Sequence, residues 1–419
     1  MRSSQYALPS LFAAVLTVAT GAWSESPESK PGMHWVASWG TAVYLPEIQN
    51  LLPAEQWRES TLRQIVHVSI GGSRLRVRLS NAAGTTPLFI EAASIAKAEA
   101  AGKAGIDGPS ARALTFSGKD SVMIPAGAEY YSDPVALEHG AASDLAVSLY
   151  VKGEPIRQTG HPGSRANSFL LKGNRVMDAA WPNATKVEHW YQLADVEVEV
   201  PRAIGAVVTI GDSITDGHGA TTDGNDRWPD FLAARLAREM APGMGVVNTG
   251  IGGGRLLRDG LGPNLVARFD RDVLSRSGVT HAIVLIGVND LGSQHRNGDD
   301  IPAARAKLVD DLQDAFRQIV ARAHAQHVCV IGATLTPYGG SDYYRPNAAN
   351  EADRQGLNNW IRTSGVFDAV ADFDAAIRDP AKPERMRAED DCGDGLHPSP
   401  AGFRVMADAV PMSALRGCP

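Results

Sequence analysis

The sequence predicts a two-part protein in which an antiparallel β-sandwich is followed by an α/β domain with a parallel sheet. Residues 34–200 contain short runs in which apolar and polar side chains alternate, the period of a strand with one buried face. From Pro201 onward, continuous apolar runs alternate with helical segments, as is typical of parallel sheets covered by helices. A length of 419 residues accommodates both parts, since a domain commonly takes about 100–200 residues.

The N-terminal part has the periodicity of antiparallel strands. Leu75, Val77 and Leu79 alternate with arginines. A similar run precedes Gly71-Gly72, a pair that is compatible with a tight hairpin. Clusters of Gly, Pro, Asn and Asp separate the later runs at hairpin-like intervals. We therefore predict an antiparallel, jelly-roll-like sandwich over residues 33–200.

The C-terminal part, residues 201–419, contains five apolar runs that are typical of strands buried on both faces. Helical segments separate these runs, which indicates right-handed crossovers in a parallel sheet. Ligands bind beyond the carboxyl ends of the strands in such sheets. The five predicted strands are 206–210, 245–247, 281–287, 328–335 and 366–372, and the helical segments include 229–240, 264–277, 302–325, 347–363 and 400–410.

The composition is that of a folded globular protein rather than a nucleic-acid-binding protein or a disulfide scaffold. Hydrophobic residues make up 44% and charged residues 21% of the chain, which is ordinary for a folded domain. Forty Lys and Arg against 47 Asp and Glu give a net charge of −7, so a basic footprint for nucleic acid is absent. Three cysteines are too few for a disulfide framework and lack CxxC zinc spacing.

The first 24 residues have the pattern of a signal peptide. Arg2 precedes an apolar run at residues 7–23, and Ala22-Trp23-Ser24 offers small residues for cleavage near Ser24. A membrane anchor is the alternative, but the run contains Pro9 and is shorter than the ~20 residues that a spanning helix needs. We therefore expect a secreted or periplasmic protein with no integral span after cleavage.

Export permits disulfides. We expect Cys392 and Cys418 to pair and Cys329, which lies inside an apolar run, to be a buried free thiol. Three reduced cysteines are the alternative.

A candidate nucleophile follows the first strand of the α/β part. Ser213 lies in Gly211-Asp212-Ser213-Ile214-Thr215-Asp216-Gly217, where a serine after a parallel strand points into the ligand crevice. Ser or Asp there also suits a helix N-cap, which is the structural alternative. The segment is not the GxSxG elbow, so it does not indicate a typical α/β-hydrolase.

A candidate base lies near the C-terminus. His397 precedes the last helical segment, and Asp394 lies three residues upstream in the same loop. A carboxylate at that spacing can orient one imidazole nitrogen and stabilise the imidazolium, leaving the other nitrogen for Ser213. A solvated surface histidine is the alternative.

Two further strands end in groups that can donate hydrogen bonds to an oxyanion. The second ends in the glycine-rich segment 248–254, whose backbone N–H groups can approach a ligand. A dinucleotide loop is excluded because Arg255 occupies the last glycine position of GxGxxG. The third ends at Asn289, which can offer its side-chain amide or, alternatively, belong to an ordinary turn.

Together these segments resemble the SGNH (GDSL-type) hydrolases over about residues 203–415. The order and spacing of all four family blocks match. The blocks are GDSIT at 211–215, NTGIGGG at 248–254, GVND at 287–290 and DGLH at 394–397. The resemblance implies a flavodoxin-like three-layer α/β/α fold.

The same resemblance implies roles for individual residues. Ser213 would be the nucleophile, His397 the general base and acid, and Asp394 the residue that orients the histidine. The oxyanion donors would be the Ser213 N–H, a glycine-loop N–H and the Asn289 amide. By position Gly253 matches the family glycine best, with Gly252 the alternative. No metal or cofactor is expected.

The N-terminal part is similar to the β-domain that precedes this catalytic domain in some secreted family members. Segments 34–42 and 75–84 carry that likeness. An aromatic sugar-binding platform is one interpretation of the tryptophans in this part, and buried core aromatics are the more common one. These tryptophans are Trp35, Trp39, Trp57, Trp181 and Trp190.

Three residues of the α/β part are further candidates for substrate binding. Trp228 and Tyr338 could line an acyl or leaving-group pocket, and Arg255 could contact an anionic or hydroxylated substrate. A polar cluster near the nucleophile fits no standard metal-ligand spacing, so no metal is assigned to it. Its members are Asp216, His218 and Asp226.

The resulting hypothesis is a secreted serine ester hydrolase that works through an acyl-enzyme. Its leading substrate is carbohydrate carrying O-acetyl groups. The alternatives are a broad-specificity esterase or lysophospholipase-like acylhydrolase, an offshoot acting on glycosidic bonds, which would have lost the serine, and a non-catalytic glycan-binding protein.

Overall fold

The computed structural model describes residues 29–241 and 243–417. The predicted signal peptide and Cys418 lie outside these residues. Among the helices described, none is long and apolar enough to cross a membrane.

Fifteen strands and one short α-helix form the described part of the N-terminal half. Short 3₁₀ turns at Ile48–Asn50 and Gly108–Ser110 connect some of them. The elements are β1 (Met33–Gly40), α1 (Ala54–Trp57), β2 (Ser60–Val68), β3 (Gly72–Ser80), β4 (Leu88–Ile90), β5 (Ala92–Lys97), β6 (Arg112–Leu114), β7 (Val122–Ile124), β8 (Glu129–Tyr131), β9 (Val135–His139), β10 (Ser143–Val151), β11 (Gly160–His161), β12 (Ser168–Lys172), β13 (Thr185–Val187), β14 (Trp190–Tyr191) and β15 (Leu193–Pro201).

Two antiparallel sheets pack face to face in this half. One has the order β1-β15-β3-β8 with β9 also beside β3, and the other has the order β13-β12-β2-β10-β5-β6. Their inward side chains, such as Val77 from one sheet and Val147 from the other, share one buried core. β4 with β7 and β11 with β14 form separate pairs. The predicted β-rich domain is confirmed.

The tryptophans of this half belong mainly to its interior. Trp39, Trp57, Trp181 and Trp190 are buried. Trp35 is partly buried, and the Arg76 guanidinium lies 4.7 Å from the centre of its ring. Core packing, rather than an exposed sugar platform, therefore accounts for these aromatic residues.

The C-terminal half alternates strands with helices. A π-helical turn at Asp270–Leu274 and a 3₁₀ turn at Met412–Leu415 complete it. The elements are β16 (Ala206–Gly211), α2 (Ser213–Asp216), α3 (Trp228–Glu239), β17 (Gly245–Asn248), α4 (Leu265–Phe269), β18 (Val279–Leu285), α5 (Val288–Arg296), α6 (Pro302–His324), β19 (Cys329–Ala333), α7 (Ala348–Thr363), β20 (Ala369–Ala371), α8 (Phe373–Ile377) and α9 (Pro400–Ala409).

The five strands of this half form one fully parallel sheet in the order β17-β16-β18-β19-β20. This is the flavodoxin-like order, in which the chain reverses direction across the sheet after its first strand. Loops that follow neighbouring strands therefore meet at the carboxyl edge. The predicted α/β fold class is confirmed.

The sandwich packs directly against the edge of the parallel sheet. The Ala37 N–H of β1 donates to the Ser277 carbonyl over 2.9 Å, and the Val246 N–H of β17 donates to Ser69 Oγ over 2.9 Å. Gly245 permits this approach, because a Cβ there would lie 2.2 Å from the Ala37 carbonyl oxygen. The two halves thus share backbone contacts as well as side chains.

The predicted cysteine pairing is wrong. Cys392 has a free thiol, and Cys329 is disulfide-bonded rather than free. The two cysteines lie at opposite edges of the parallel sheet. Cys329 begins β19 at the amino edge and lines a cavity that Leu415 and Gly417, near the C-terminus, also line. Cys392 lies at the opposite edge, where its N–H donates to the His397 carbonyl.

Candidate active site

Ser213, His397 and Asp394 form a chain of hydrogen bonds at the carboxyl edge of the parallel sheet. Ser213 is the first residue of α2, directly after β16. Its Oγ lies 2.8 Å from His397 Nε2, and His397 Nδ1 lies 2.6 Å from Asp394 Oδ2. Because the carboxylate accepts at Nδ1, the hydrogen resides there and Nε2 can accept from the serine hydroxyl.

The Asp394 carboxylate is held by its own loop. Its Oδ1 accepts from the Leu396 N–H over 2.9 Å and from the His397 N–H over 2.8 Å. Burial alone would raise the pKa of Asp394, but the hydrogen bonds from the side chain and backbone of His397 and the charge on its ring outweigh burial and hold the pKa well below its usual range. Asp394 is therefore ionised at neutral pH, and its carboxylate can accept a hydrogen bond from the His397 ring.

A second histidine covers the His397 ring. The ring centres of His218 and His397 lie 4.0 Å apart. Arg165 Nη2 donates to His218 Nδ1 over 3.1 Å, which leaves the hydrogen on His218 Nε2, 3.8 Å from Asp394 Oδ2. Burial, together with the positive charges of His397 and Arg165, lowers the pKa of His218 to about 4. His218 is thus neutral at pH 7.

Three hydrogen-bond donors line the cleft beside Ser213. Ser213 N–H and Gly253 N–H have no partner among the described residues, whereas Gly252 N–H donates to Asp216 Oδ2 over 3.0 Å. Gly253 adopts a positive φ of 64°, which glycine tolerates without strain. Of the two glycines left open by the sequence, Gly253 is the one with a free N–H.

The third donor is the side-chain amide of Asn289, at the start of α5. Its Nδ2 donates one hydrogen to the Gly254 carbonyl over 2.8 Å, and its Oδ1 accepts from the Tyr344 hydroxyl over 2.6 Å. An amide nitrogen has two hydrogens, so the second is available to the cleft that Asn289 lines. Tyr344 fixes which way the amide points.

Two buried carboxyl groups support these loops. Asp212 accepts from the Ile214 N–H over 3.0 Å, and burial raises its pKa to about 7. Asp290 accepts from the N–H groups of Leu256 and Leu257, and burial raises its pKa to about 6. Asp290 thereby anchors the chain that follows the glycine segment to the start of α5.

The site opens into a cleft of about 1010 Å³, which both halves of the chain line. This volume is at the upper end of the roughly 300–1,000 Å³ of small-molecule pockets. Charged side chains of both signs line it, including Arg165, Arg255 and Asp259. The N-terminal half contributes Tyr44, Glu47, Asn50, Pro162, Gly163, Arg165 and His189.

Of the three predicted substrate-binding residues, only Arg255 lines this cleft. The prediction is wrong for Trp228, which is fully buried and packs 5.3 Å from the Phe373 ring. It is also wrong for Tyr338, which is buried and donates its hydroxyl to Asn350. Both aromatic rings complete the core between the sheet and its helices.

Several cleft residues were not predicted from the sequence, because they come from distant segments. Tyr44 and Arg165 belong to loops of the sandwich, and Tyr344 lies six residues beyond Tyr338. The nearest signal was the insertion at 338–347, which contains two adjacent tyrosines.

Among the described residues, two groups bring potential metal-ligand atoms within 4.8 Å of one another: His218 with Asp394 and His397, and Asp391 with Cys392 and Asp394. A cation in the first group would compete for the atoms that link Asp394 to His397. The residues of the polar cluster noted in the sequence have separate hydrogen-bond partners. Asp216 is hydrogen-bonded to His161, and Asp226 accepts a hydrogen bond from the Thr221 N–H.

Comparisons with known proteins follow the same division of the chain. Residues 209–405 match the GDSL-like lipase/acylhydrolase family. A search of curated proteins gave no match.

Solved structures align with about half of this chain and most of their own. They include a GDSL-like lipase from Bacteroides thetaiotaomicron (18% identity, 52% of this chain, 90% of that one, TM-score 0.38). An acetylxylan esterase from Geobacillus stearothermophilus aligns at 21% identity over 51% of this chain and 95% of its own, TM-score 0.36. An α/β hydrolase from the metagenome of Lake Arreo, Spain, aligns at 23% identity over 51% and 95%, TM-score 0.36.

A parallel sheet with a hydrogen-bonded serine, histidine and aspartate at its carboxyl edge defines the class of serine hydrolases. Within that class, residues 209–405 of this chain form a domain of the GDSL-like lipase/acylhydrolase family. The protein is a carboxylic ester hydrolase.

Proposed function

We propose that Ser213 attacks the ester carbonyl and that His397 and Asp394 activate it. The observation that carries this proposal is the continuous chain of hydrogen bonds from Ser213 Oγ through His397 to Asp394, at 2.8 and 2.6 Å. His397 Nε2 takes the hydroxyl proton as the Ser213 Oγ–carbon bond forms. The same proton then passes to the departing alcohol, which leaves an acyl-enzyme on Ser213.

Deacylation reverses these roles. Water enters, His397 Nε2 takes its proton, and the new oxygen–carbon bond displaces Ser213 Oγ, which recovers the proton. In both steps negative charge develops on the former carbonyl oxygen. The Ser213 N–H, the Gly253 N–H and the Asn289 amide stabilise that charge.

The substrate that suits the cleft best is a carbohydrate carrying O-acetyl groups. The cleft has room for several sugar units, and many of its lining residues are polar or charged, so they can form hydrogen bonds with a hydroxylated leaving group. At its rim, Tyr343 is 60% exposed and offers an aromatic surface.

A second candidate is an ester with a longer acyl chain. Leu261 is 49% exposed, and its side chain lies 3.1 Å from where a Cβ on Gly253 would be. An apolar surface beside an oxyanion donor would suit an acyl chain.

The test compares acetate release from acetylated xylan with hydrolysis of p-nitrophenyl esters of increasing chain length. Wild type, Ser213→Ala and the control Ser143→Ala, a surface serine of the sandwich, are assayed together. We expect serine-dependent acetate release and a preference for the acetyl ester. Activity confined to longer esters would favour the second candidate. Hydrolysis by Ser213→Ala at the wild-type rate would overturn the mechanism.

Fluorophosphonate labelling separates an enzyme from a glycan-binding protein of the same fold. Only an activated serine reacts, so we expect wild type to be labelled and Ser213→Ala to remain unlabelled. Failure to label wild type would instead favour the binding protein.

We also propose that the chain is exported, because residues 1–24 have the pattern of a signal peptide. Sequencing the N-terminus of the protein recovered outside the cytoplasm tests this, with cleavage near Ser24 expected. An uncleaved N-terminus in the cytoplasmic fraction would overturn it.

A further inference from the structure

His161 of the sandwich reaches into the α/β half. It ends the short strand β11 and is 2% exposed. Its Nδ1 lies 2.7 Å from the Ala42 carbonyl oxygen and its Nε2 lies 2.7 Å from Asp216 Oδ1. The rings of Tyr44 and Trp190 flank the imidazole, with centres 6.1 and 5.9 Å away. Packing and two hydrogen bonds therefore hold this ring in one orientation.

Asp216 connects the sandwich to the glycine segment. It ends α2, three residues after Ser213, and is buried. One carboxylate oxygen bonds His161, and the other accepts from the Gly252 N–H over 3.0 Å. The sandwich backbone closes over this carboxylate at Gly163, where a Cβ would lie 2.0 Å from Asp216 Oδ2.

Gly252 and the next residue, Gly253, differ in their hydrogen bonds. With the Gly252 N–H bound to Asp216, the Gly253 N–H is left without a partner among the described residues, and Gly253 lines the cleft. An oxyanion donor is effective only when it is held in place before charge develops. A glycine-rich segment does not provide that rigidity by itself, since glycine has the greatest backbone freedom.

We propose that His161 is a positioning residue for ester hydrolysis: through Asp216 it holds Gly252, and with it the Gly253 N–H that stabilises the oxyanion. The sandwich then completes the reaction site of the α/β half. This inference rests on the proposed function, because it assigns Gly253 to the oxyanion.

The hydrogen-bond pattern predicts different effects for two substitutions of Asp216. In Asp216→Asn, the amide oxygen can accept from the Gly252 N–H while the amide nitrogen donates to His161 Nε2, and His161 Nδ1–H still donates to the Ala42 carbonyl. The link is preserved without the charge. In Asp216→Ala, the link to Gly252 is lost.

The first experiment measures kcat and KM on an acetyl ester for His161→Ala, His161→Gln and His67→Gln. His67 is the matched control, since it bonds Asp144 over 2.7 Å within the sandwich and does not line the cleft. For His161→Ala we expect kcat to fall by about 100-fold, the effect of losing one oxyanion donor, with KM changed less than about threefold. His161→Gln should recover part of kcat, because its amide can donate to Asp216. Wild-type kcat in a folded His161→Ala would overturn the inference.

The second experiment keeps the inference testable if His161→Ala does not fold. Asp216→Asn should retain most of kcat, whereas Asp216→Ala should lose about as much as His161→Ala. The inhibition constant of an alkylboronic acid, whose tetrahedral adduct on Ser213 resembles the transition state, should rise in parallel with the loss of kcat. Equal kcat for the two Asp216 variants would overturn the inference.

The two proposals fail in different ways. If Ser213→Ala remains active, the proposed function fails. If Ser213→Ala is inactive while folded His161→Ala has full activity, only the positioning role of His161 fails.

Discussion

At the scale of single residues, the site depends on side chains that hold other side chains in place. Asp394 is bound by two backbone N–H groups of its own loop, so its second oxygen is directed at His397. Asn289 is held in the same way, with its oxygen on Tyr344 and one amide hydrogen on Gly254. Each reacting group therefore keeps its orientation before substrate arrives.

The Tyr344 hydroxyl provides a test of this arrangement. We expect Tyr344→Phe to lower kcat by about 10-fold with little change in KM, because one hydrogen bond of about 1.4 kcal/mol no longer orients the Asn289 amide. The measurement is steady-state kinetics on an acetyl ester. Tyr338→Phe is the matched control, since Tyr338 also donates to an asparagine, Asn350, but away from the cleft. Equal kcat losses in both variants would contradict the role of Tyr344.

At the scale of elements, the turn from β16 into α2 places a carboxyl group in the core. Asp212 caps α2 through Oδ1, while its buried Oδ2 has no partner among the described residues. The Asp212 pKa is about 7 in the folded protein, compared with about 3.9 in an unfolded chain. The folded state thus binds this proton more tightly, and ionising Asp212 favours unfolding.

This predicts how stability changes with pH. The Asp212 contribution to the free energy of unfolding should fall as pH rises from about 4 to about 7 and then level off, a change of up to ~4 kcal/mol at 1.36 kcal/mol per pKa unit. Asp212→Asn removes that term, so its stability relative to wild type should rise over the same window. Denaturant unfolding at a series of pH values measures the difference. Asp310→Asn, on the exposed surface of α6, is the control, and a difference independent of pH would refute the prediction.

The elements also show how far local sequence determines the fold. The parallel strands were predicted from their apolar runs, because strands buried on both faces need continuous apolar sequence. The fold class predicted in this way is confirmed. One predicted helix, 264–277, is instead α4 followed by the π-helical turn Asp270–Leu274. At this point buried Arg268 donates hydrogen bonds to the Gly211 and Thr249 carbonyls of neighbouring loops, contacts that the local sequence pattern does not record.

At the scale of the whole molecule, a buried ion pair between Asp195 and Arg276 joins the two halves. Asp195 of β15 lies 2.6 Å from Arg276 Nη1 and 3.2 Å from Arg78 Nη1. Arg276 also donates to the Thr41 carbonyl of the sandwich over 2.9 Å. Asp195 and Arg276 are almost inaccessible to solvent, so removal of Asp195 leaves the buried Arg276 charge with only the more distant Asp272 carboxylate, 3.7 Å away.

We therefore expect Asp195→Ala to lower the free energy of unfolding by about 3–5 kcal/mol. Glu154→Ala, which breaks an exposed pair with Arg58, should cost less than about 1 kcal/mol. Thermal and denaturant unfolding of both variants make the comparison. Similar losses in the two variants would contradict the stabilising role of the buried pair.

By itself, the sequence determined the order of strands and helices, the family, and the positions from which the candidate reacting groups come. Local periodicity and short motifs are enough for this, because the carboxyl ends of parallel strands necessarily meet at one edge. Only the tertiary structure decided which aromatic residue reaches the cleft, that Cys392 is a free thiol, and that the sandwich lines the site. Those outcomes depend on contacts between distant segments, such as His161 with Asp216, 55 residues apart, which no local pattern records.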